Sequence, residues 1–301
     1  MIVYNNRVLR VLDRWLRKEG YNPLNLPPYN IRCMFETGYT PTQGTYRNQV
    51  SVTPNIWDIY EPNTSWYNLF NGETHLLEVL GANSTDVTSM NAMFDGCTNL
   101  YSVALFDTSN VIYMTSMFSE CSSLKTVPLY DTSNVTSMNA MFYECTSLEE
   151  VPLFNTSNVL SARNMFYECS SLKTVPFFDT SSVQDVQYMF YHCSSLETIP
   201  AFDFENVYTM YSFCQGCSSL RAIPALNVPS LGSAGAWYGF TGCRKVASGA
   251  LALYEQLSAY LHPYYNNGFF YECGWDTETG LEEWRQIPTY WGGGKSNGNL
   301  Y

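Results

Sequence analysis

Residues 141–164 read MFYECTSLEEVPLFNTSNVLSARN, and this block of 24 residues recurs on both sides without an insertion. The preceding block, 117–140, is MFSECSSLKTVPLYDTSNVTSMNA, and the following block, 165–188, is MFYECSSLKTVPFFDTSSVQDVQY. Leucine and valine columns keep the same period, and so do the cysteines Cys97, Cys121, Cys145, Cys169, Cys193 and Cys217. A fixed period of this length is typical of a solenoid, in which each repeat is one coil and neighbouring coils bury their apolar edges against each other.

The order of residues within one repeat predicts the shape of a coil. The Leu-x-x-Val-x-Leu segment at 124–129 alternates as a short parallel strand does, and its proline predicts that the strand stops there. The Asp-Thr-Ser-Asn cluster at 131–134 predicts a turn. Apolar residues at 135–142 then recur at steps of three and four, which predicts a helical or 3-10 turn.

The repeat pattern fades toward both ends and so divides the chain into four segments. Residues 1–20 are a basic amphipathic segment, residues 21–65 a small β-rich N-terminal cap with many prolines, and residues 66–246 the solenoid. Residues 247–301 are a C-terminal cap and tail, with a closing helix predicted over 248–261. Atypical end repeats are expected because they cover the open ends of the core.

Composition narrows the class of protein. The net charge of −12 argues against nucleic acid as the main partner, and 46% hydrophobic with only 14% charged residues favours a large core over disorder. No apolar run reaches the roughly 18 residues that a membrane helix needs. The N-terminus shows no secretory signal, so we expect synthesis in a bacterial cytoplasm and export, if any, as part of a larger assembly.

The charge is unevenly distributed. Residues 1–18 hold five Lys and Arg against one Asp, a net of +4, which leaves −16 for the remainder. Apolar residues share one helical face of this segment and basic residues the other, so it predicts a cover for the first coil or an anchor into a larger assembly, with membrane-surface binding as a third alternative. The candidate anchor residues are Arg7, Arg10, Val11, Arg14, Trp15 and Arg17.

Two polar columns invite a chemical interpretation. The cysteines lie between phenylalanine and leucine anchors, which predicts buried free thiols. The acidic column is Asp107, Asp131, Asp179 and Asp203, with Asn155 between them. Capping of the following turn is the expected role, and a bound Ca²⁺ is the alternative. We expect no cofactor, no metal and no catalytic residue, because no histidine accompanies a recognised nucleophile motif.

A third column predicts a contact surface. Tyrosines repeat directly beside glutamates, and tyrosine is enriched where proteins bind partners. The residues of this candidate surface are Tyr143, Tyr167, Tyr191, Glu120, Glu144 and Glu168. For the glutamates taken alone, a solvated acidic face is the expected role, and a docking strip for a basic partner is the alternative. A further aromatic column, from Phe106 to Phe202, is predicted to be core.

The motif Phe-x-x-Cys-x-x-Leu-x-x-Val joined to Asp-Thr-Ser-Asn-Val-Thr-x-Met resembles the BspA-type leucine-rich repeats. The resemblance covers the greater part of the chain and implies a leucine-rich-repeat solenoid, with short parallel strands and helical or 3-10 turns, between a β-rich N-terminal and a helical C-terminal cap. It also implies adhesion or protein binding without catalytic residues.

The flanking segments carry a second resemblance. NPLNLPPY at 22–29, PNIWD at 54–58, LLEVLGAN at 76–83 and QIPTYWGG at 286–293 resemble uncharacterised proteins of gut Bacteroidales bacteriophages, including crAss-like phages. This implies a virion structural and recognition protein, such as a fibre, spike or decoration subunit.

The expected partners follow from that interpretation. They are other virion proteins through the N-terminus, and a host surface protein or glycan; self-association into a homo-oligomer stays open. The alternatives are a BspA-type bacterial surface adhesin and a carbohydrate-active enzyme, for which no paired-carboxylate motif is present.

Overall fold

The computed structural model describes residues 30–42, 46–49, 55–232, 235–259, 261 and 268–294, with only the backbone described for 46–49. Five strands open the described chain: β1 (Asn30–Phe35), β2 (Tyr46–Gln49), β3 (Ile56–Tyr60), β4 (Leu76–Ala82) and β5 (Ser102–Val103). They form one sheet in the order β2-β3-β1-β4-β5. All pairs are antiparallel except β4 with β5, which is parallel, so the sheet joins the N-terminal segment to the repeats.

Alternating side chains explain how β1 covers the first coil. Ile31, Cys33 and Phe35 are fully buried and belong to the same hydrophobic core as the repeats. Arg32, between them, points its guanidinium at Asp58 of β3, with Nε and Oδ1 2.5 Å apart. The period of two in side-chain direction thus gives β1 an apolar face toward the repeats and an ion pair on its other face.

Beyond β4, successive repeat blocks stack in parallel. Isolated parallel bridges join residues at equivalent positions of neighbouring repeats, and they run through Ser65, Ser89, Tyr113, Ser137, Ser161, Asp185 and Thr209. Between them, backbone N–H groups donate to carbonyls of the following repeat, as from Ala140 to Arg163 (2.9 Å) and from Phe142 to Met165 (2.9 Å). Each coil is therefore hydrogen-bonded to the next.

The pairing does not lie where the sequence predicted it. The Leu-x-x-Val-x-Leu segment forms strands only at β4 and β5, and in later coils it contributes single bonds such as Glu149 N–H to Lys125 O (2.9 Å). Pro128 has no N–H to donate, which stops the ladder. Leu129, predicted to belong to the strand, is 58% exposed.

The predicted helical turn is also different from the structure. Residues 135–145 contain neither an α-helix nor a 3-10 helix, and instead form linked turns. The N–H of Met141 bonds to the carbonyl of Met138, and that of Tyr143 to the carbonyl of Ala140. Ala140 and Glu144 adopt left-handed backbone, with φ of 53° and 54°, so the chain bends twice within each coil.

The core consists of columns of identical or similar side chains. The repeated Val, Phe, Cys and Leu positions are almost completely buried in each full coil. Phenylalanine rings at one position stack from coil to coil with centroids 5.5–5.8 Å apart, through Phe70, Phe94, Phe118, Phe142, Phe166 and Phe190.

Two helices close the other end, α1 (Ala250–Ser258) and α2 (Glu278–Gln286), followed by a 3-10 turn at Thr289–Trp291. α1 lies within the predicted closing helix and buries Leu253 and Leu257. Glu283 of α2 accepts from the backbone N–H groups of Gly249 and Leu251 (3.3 and 3.1 Å), which satisfies free donors at the start of α1.

Candidate functional site

The acidic column is accounted for by turn capping. Oδ1 of Asp131 accepts from the backbone N–H of Ser133 (3.0 Å), and Oδ1 of Asp179 from that of Ser181 (3.1 Å). Hydrogen bonds from the serine hydroxyls and backbone amides lower the pKa of both carboxyl groups. The predicted capping role is confirmed at these positions.

The neighbouring polar residues hold coils together. The Thr132 hydroxyl donates to the carbonyl of Asn155 in the next coil (2.8 Å), and the Asn134 amide donates to the carbonyl of Ser109 in the preceding coil (2.7 Å). Within the described residues, no three His, Cys, Asp or Glu side chains come together as a metal site would require. The Asp-Thr-Ser-Asn cluster is thus a structural joint.

The cysteine column is structural as well. All ten cysteines are buried and free of disulfide bonds, as predicted. The Cys145 thiol donates to the carbonyl of Phe118 in the preceding coil, with Sγ and O 2.9 Å apart. Burial raises the pKa of this thiol, which therefore stays protonated and unreactive at neutral pH.

The predicted tyrosines do come together. The rings of Tyr143, Tyr167 and Tyr191 form one stack, with centroids 4.6 Å apart and planes 12° apart at both steps. All three side chains are half-buried. Together with Glu120, Glu144 and Glu168 they are called the Tyr–Glu strip below.

The glutamates of the Tyr–Glu strip occupy strained backbone. Glu120, Glu144 and Glu168 have φ of 57°, 54° and 54°. Left-handed backbone costs about 1–2 kcal/mol for a residue with a Cβ atom. Other coils place glycine here, at Gly72, Gly96 and Gly216. Carboxylates therefore stand where the backbone favours glycine. Left-handed backbone also occurs at Ala92, Ala140 and His192, so it is a general feature of the turns in these coils.

Hydrogen bonds lock the two columns together. The backbone N–H of Glu144 donates to the carbonyl of Tyr167 (2.7 Å), and that of Glu168 to the carbonyl of Tyr191 (2.7 Å). Burial raises the pKa of Tyr167 to about 12, and the charges of Glu168 and Glu144 add to the rise. The Tyr167 phenol is therefore neutral at physiological pH and able to donate a hydrogen bond.

The aromatic surface extends further than the sequence predicted. Tyr188 contacts Tyr191 edge to face (5.7 Å between centroids) and Tyr211 at 5.2 Å, and Tyr211 contacts Tyr238 at 5.9 Å. The Arg163 guanidinium lies 6.0 Å from the Tyr188 ring. The spacing of three between Tyr188 and Tyr191, across linked turns, is the signal that identifies this extension.

A second exposed surface was also missed. Four apolar side chains at one repeat position are 58–60% exposed: Leu105, Leu129, Leu153 and Phe177. This set is called the leucine stripe below. The sequence suggested a strand here with Leu129 as one of its apolar positions, and the chain instead turns these residues outward, three of them directly after prolines.

The predicted anchor residues Arg7, Arg10, Val11, Arg14, Trp15 and Arg17 lie outside the described residues. Among the residues that are described, no helix combines the length and the apolar character needed to cross a membrane.

Two solved structures are similar to this chain. A leucine-rich repeat protein from Eubacterium ventriosum is 17% identical over 46% of this chain and 39% of its own, with a TM-score of 0.30, so the match spans well under half of that protein. The T. pallidum leucine-rich repeat protein TpLRR is 18% identical over 62% of this chain and 72% of its own, with a TM-score of 0.32. A search of curated proteins finds no match.

One family model matches the repeats directly. It matches residues 64–175 and again residues 125–225, which together cover more than half of the 301 residues. The chain therefore belongs to the family described as Mycoplasma protein of unknown function, DUF285.

Proposed function

We propose that this chain is a non-catalytic recognition protein, a leucine-rich-repeat solenoid that presents the Tyr–Glu strip to a protein partner with basic side chains. The observation that carries the proposal is the coincidence of a half-buried surface stack of tyrosines with glutamates in left-handed backbone. Glycine would relieve the strain at these positions, and neither column is required in every coil. Three carboxylates in adjacent coils beside a tyrosine stack favour a binding role.

The stacking geometry favours a protein over a sugar. Both faces of the Tyr167 ring are covered, by Tyr143 on one side and Tyr191 on the other, at 4.6 Å. A sugar ring binds aromatic residues through a free face, whereas this stack presents ring edges and hydroxyl groups. Tyrosine edges of this kind are typical of protein-binding surfaces.

Charge favours a basic partner. Glu120, Glu144 and Glu168 stand in adjacent coils, and the chain as a whole carries −12. Arg163 is the cation beside the aromatic extension, where it lies near the Tyr188 ring. Lys or Arg side chains of a partner would pair with the carboxylates while their stems cover the tyrosine edges.

A random peptide display library tests the proposal. We expect selection on the full chain to enrich peptides with Arg or Lys next to aromatic residues. Affinity for such a peptide should fall at least about tenfold in the variant Glu144→Gln/Glu168→Gln, since loss of one charged pair of about 1.4 kcal/mol has that effect. The matched control, Glu149→Gln/Glu197→Gln, removes two glutamates at another repeat position, one exposed and one half-buried, and should retain the affinity.

A glycan array separates the competing class of ligand. Binding of the full chain to glycans that is lost in Tyr167→Ser, with no enrichment of basic peptides, would contradict the proposal and favour sugar recognition. Retained peptide affinity in Glu144→Gln/Glu168→Gln would show that the glutamates do not take part in binding.

The second part of the proposal concerns where the protein is displayed. We propose that the protein is displayed on a bacteriophage particle after synthesis in the host cytoplasm, attached to other virion proteins through its N-terminus, with a host surface protein as its partner. The support is the resemblance of the flanking segments and the segregated basic charge of residues 1–18. Quantitative mass spectrometry of purified particles should find the chain at a fixed copy number, whereas its recovery only from the bacterial envelope would favour a surface adhesin.

A further inference from the structure

The leucine stripe is an exposed apolar surface that runs along the coil axis. Its four members, Leu105, Leu129, Leu153 and Phe177, stand at the same position of consecutive coils and are 58–60% exposed. Neighbouring coils pair in parallel through backbone bridges, which places them about 4.8 Å apart. The stripe therefore presents one large apolar group at each coil step.

Acidic residues border the stripe on one side. Asp107, Asp131 and Asp179 follow the stripe residues by two positions and are exposed. Their turn-capping bonds use Oδ1, so the charge of each carboxylate still faces solvent. On the other side Lys125 is paired with Glu149 at 3.5 Å. An apolar ligand with a basic edge fits this arrangement.

The described chain begins beside the same surface. Arg32 of β1 lies opposite Gly81 of β4, and Gly81 occupies the same repeat position as Leu105, one repeat earlier. The chain that precedes residue 30 therefore joins the molecule at the first end of the leucine stripe. That part of the chain lies outside the described residues, and its sequence includes a segment with the required chemistry.

That segment is residues 8–16, VLRVLDRWL, where apolar side chains recur at helical spacing beside Arg10 and Arg14. Val8, Leu12 and Leu16 recur every four residues, so the segment offers a regular series of apolar side chains to the regular series of the stripe. The linking residues 17–29 can span about 40 Å when extended, more than the length of the stripe.

We infer that residues 8–16 dock on the leucine stripe of the same chain, where their apolar residues match Leu105, Leu129, Leu153 and Phe177 and their arginines match the bordering aspartates. This inference is independent of the Tyr–Glu strip. It assigns the exposed stripe an occupant in the free chain, and attachment to other virion proteins through the N-terminus would displace residues 8–16 from the stripe.

Disulfide cross-linking tests the contact. The native thiols are buried, so a pair of introduced cysteines reacts selectively. In the full chain, Leu12→Cys with Leu153→Cys should form an intramolecular disulfide at least about ten times faster than the matched pair Leu12→Cys with Tyr167→Cys, because effective concentration depends on proximity. Equal rates, or covalent dimers in place of the intramolecular product, would overturn the inference.

Limited proteolysis tests it without cross-linking. The variant Leu129→Ser/Leu153→Ser alters exposed side chains, so it should fold with an unchanged thermal midpoint. Trypsin cleavage within residues 7–18 should become at least about tenfold faster than in the full chain, since protection there depends on docking. The control Thr126→Ala/Thr174→Ala, at exposed positions of the repeats, should cleave as the full chain does. Identical cleavage rates in all three proteins would overturn the inference.

Discussion

Two aromatic columns run through this molecule on adjacent residues of the same coils. The phenylalanine column is fully buried and continues through six consecutive coils, from Phe70 to Phe190. The tyrosine column, one residue later, is half-buried and occupies only the three coils of Tyr143, Tyr167 and Tyr191. Both are stacked with equal regularity, so stacking itself does not distinguish core from surface. A side chain that recurs in every coil is one that the fold requires, whereas a side chain that occurs in only a few coils is one that the surface displays.

The largest effect expected on the buried side is alkaline unfolding. Burial raises the pKa of nine thiols, those of Cys33, Cys97, Cys121, Cys145, Cys169, Cys193, Cys214, Cys243 and Cys273. In the unfolded chain a thiol loses its proton near pH 8.5, whereas the folded protein keeps it. Stability is therefore complete below about pH 8.5 and falls as the pH rises, by about 1.4 kcal/mol per pH unit for each thiol.

Urea unfolding between pH 7 and pH 10 measures this loss. Cys145→Ala removes one titrating group, so its stability should depend on pH less steeply by about 1.4 kcal/mol per unit. A stability that stays flat up to pH 10 would show that these thiols are not held protonated by burial.

The next largest effect separates the two columns directly. Phe142 is fully buried between Phe118 and Phe166. Phe142→Ala should lower the free energy of unfolding by about 3–5 kcal/mol, since it removes apolar contacts and leaves a cavity. Chemical denaturation measures the change, and a loss below that of the tyrosine variant described next would reverse the assignment of the columns.

The tyrosine column should contribute less to stability. Tyr167→Ala removes two stacked contacts, each of which contributes about 0.5–1.5 kcal/mol. We expect a loss of about 1–2 kcal/mol in the same denaturation experiment, together with loss of partner binding. Tyr167→Phe is the control, because it retains the stack and removes only the hydroxyl group. A loss as large as that of Phe142→Ala would place the tyrosine column in the core.

Replacing a glutamate of the Tyr–Glu strip by glycine should stabilise the protein, whereas the substitutions above destabilise it. Glu168 has a φ of 54°, and glycine adopts this backbone without strain. Glu168→Gly should therefore raise the free energy of unfolding by about 1 kcal/mol, even after the larger entropy of glycine in the unfolded chain is counted. Glu150→Gly is the matched control at an exposed position without left-handed backbone, and it should be mildly destabilising. Destabilisation by both variants would show that Glu168 is not strained.

The fixed repeat period predicted the stacking of the coils and the identity of the buried columns, because in-register contacts repeat whatever the path of the chain. The path itself was predicted wrongly. Alternation at 124–129 suggested a strand, but Pro128 removes a donor, and the pairing moves to the turns around Met138 and Phe142. Left-handed backbone at Glu144 has no signal in its own side chain, and the only hint is the glycine at the same position of other coils.

The candidate surface was predicted in the same partial way. Periodicity identifies which side chains form a column, so Tyr143, Tyr167 and Tyr191 were found from the sequence. It does not reveal contacts between different repeat positions, and Tyr188 and Tyr211 join the aromatic surface through such contacts. The exposure of the leucine stripe depends on the direction of the chain at this repeat position, which composition does not encode.

The smallest expected effect concerns a column of charged residues that repeats in five coils and yet lies at the surface, formed by Lys125, Glu149, Lys173, Glu197 and Arg221. Lys125 and Glu149 are 3.5 Å apart, and Arg221 and Glu197 are 2.8 Å apart, with most of these side chains open to solvent. Exposed ion pairs stabilise by about 0–1 kcal/mol because water screens them.

Glu149→Lys places three lysines in consecutive coils, at positions 125, 149 and 173, and should lower the free energy of unfolding by less than about 1 kcal/mol. The loss should diminish in about 1 M salt, where the Debye length is about 3 Å. Glu150→Lys, at the next exposed residue, is the control for a charge change outside the column and should be close to neutral. If Glu149→Lys destabilises as strongly as Phe142→Ala, exposure would not distinguish repeat positions that only lie at the surface from those that stabilise the coils.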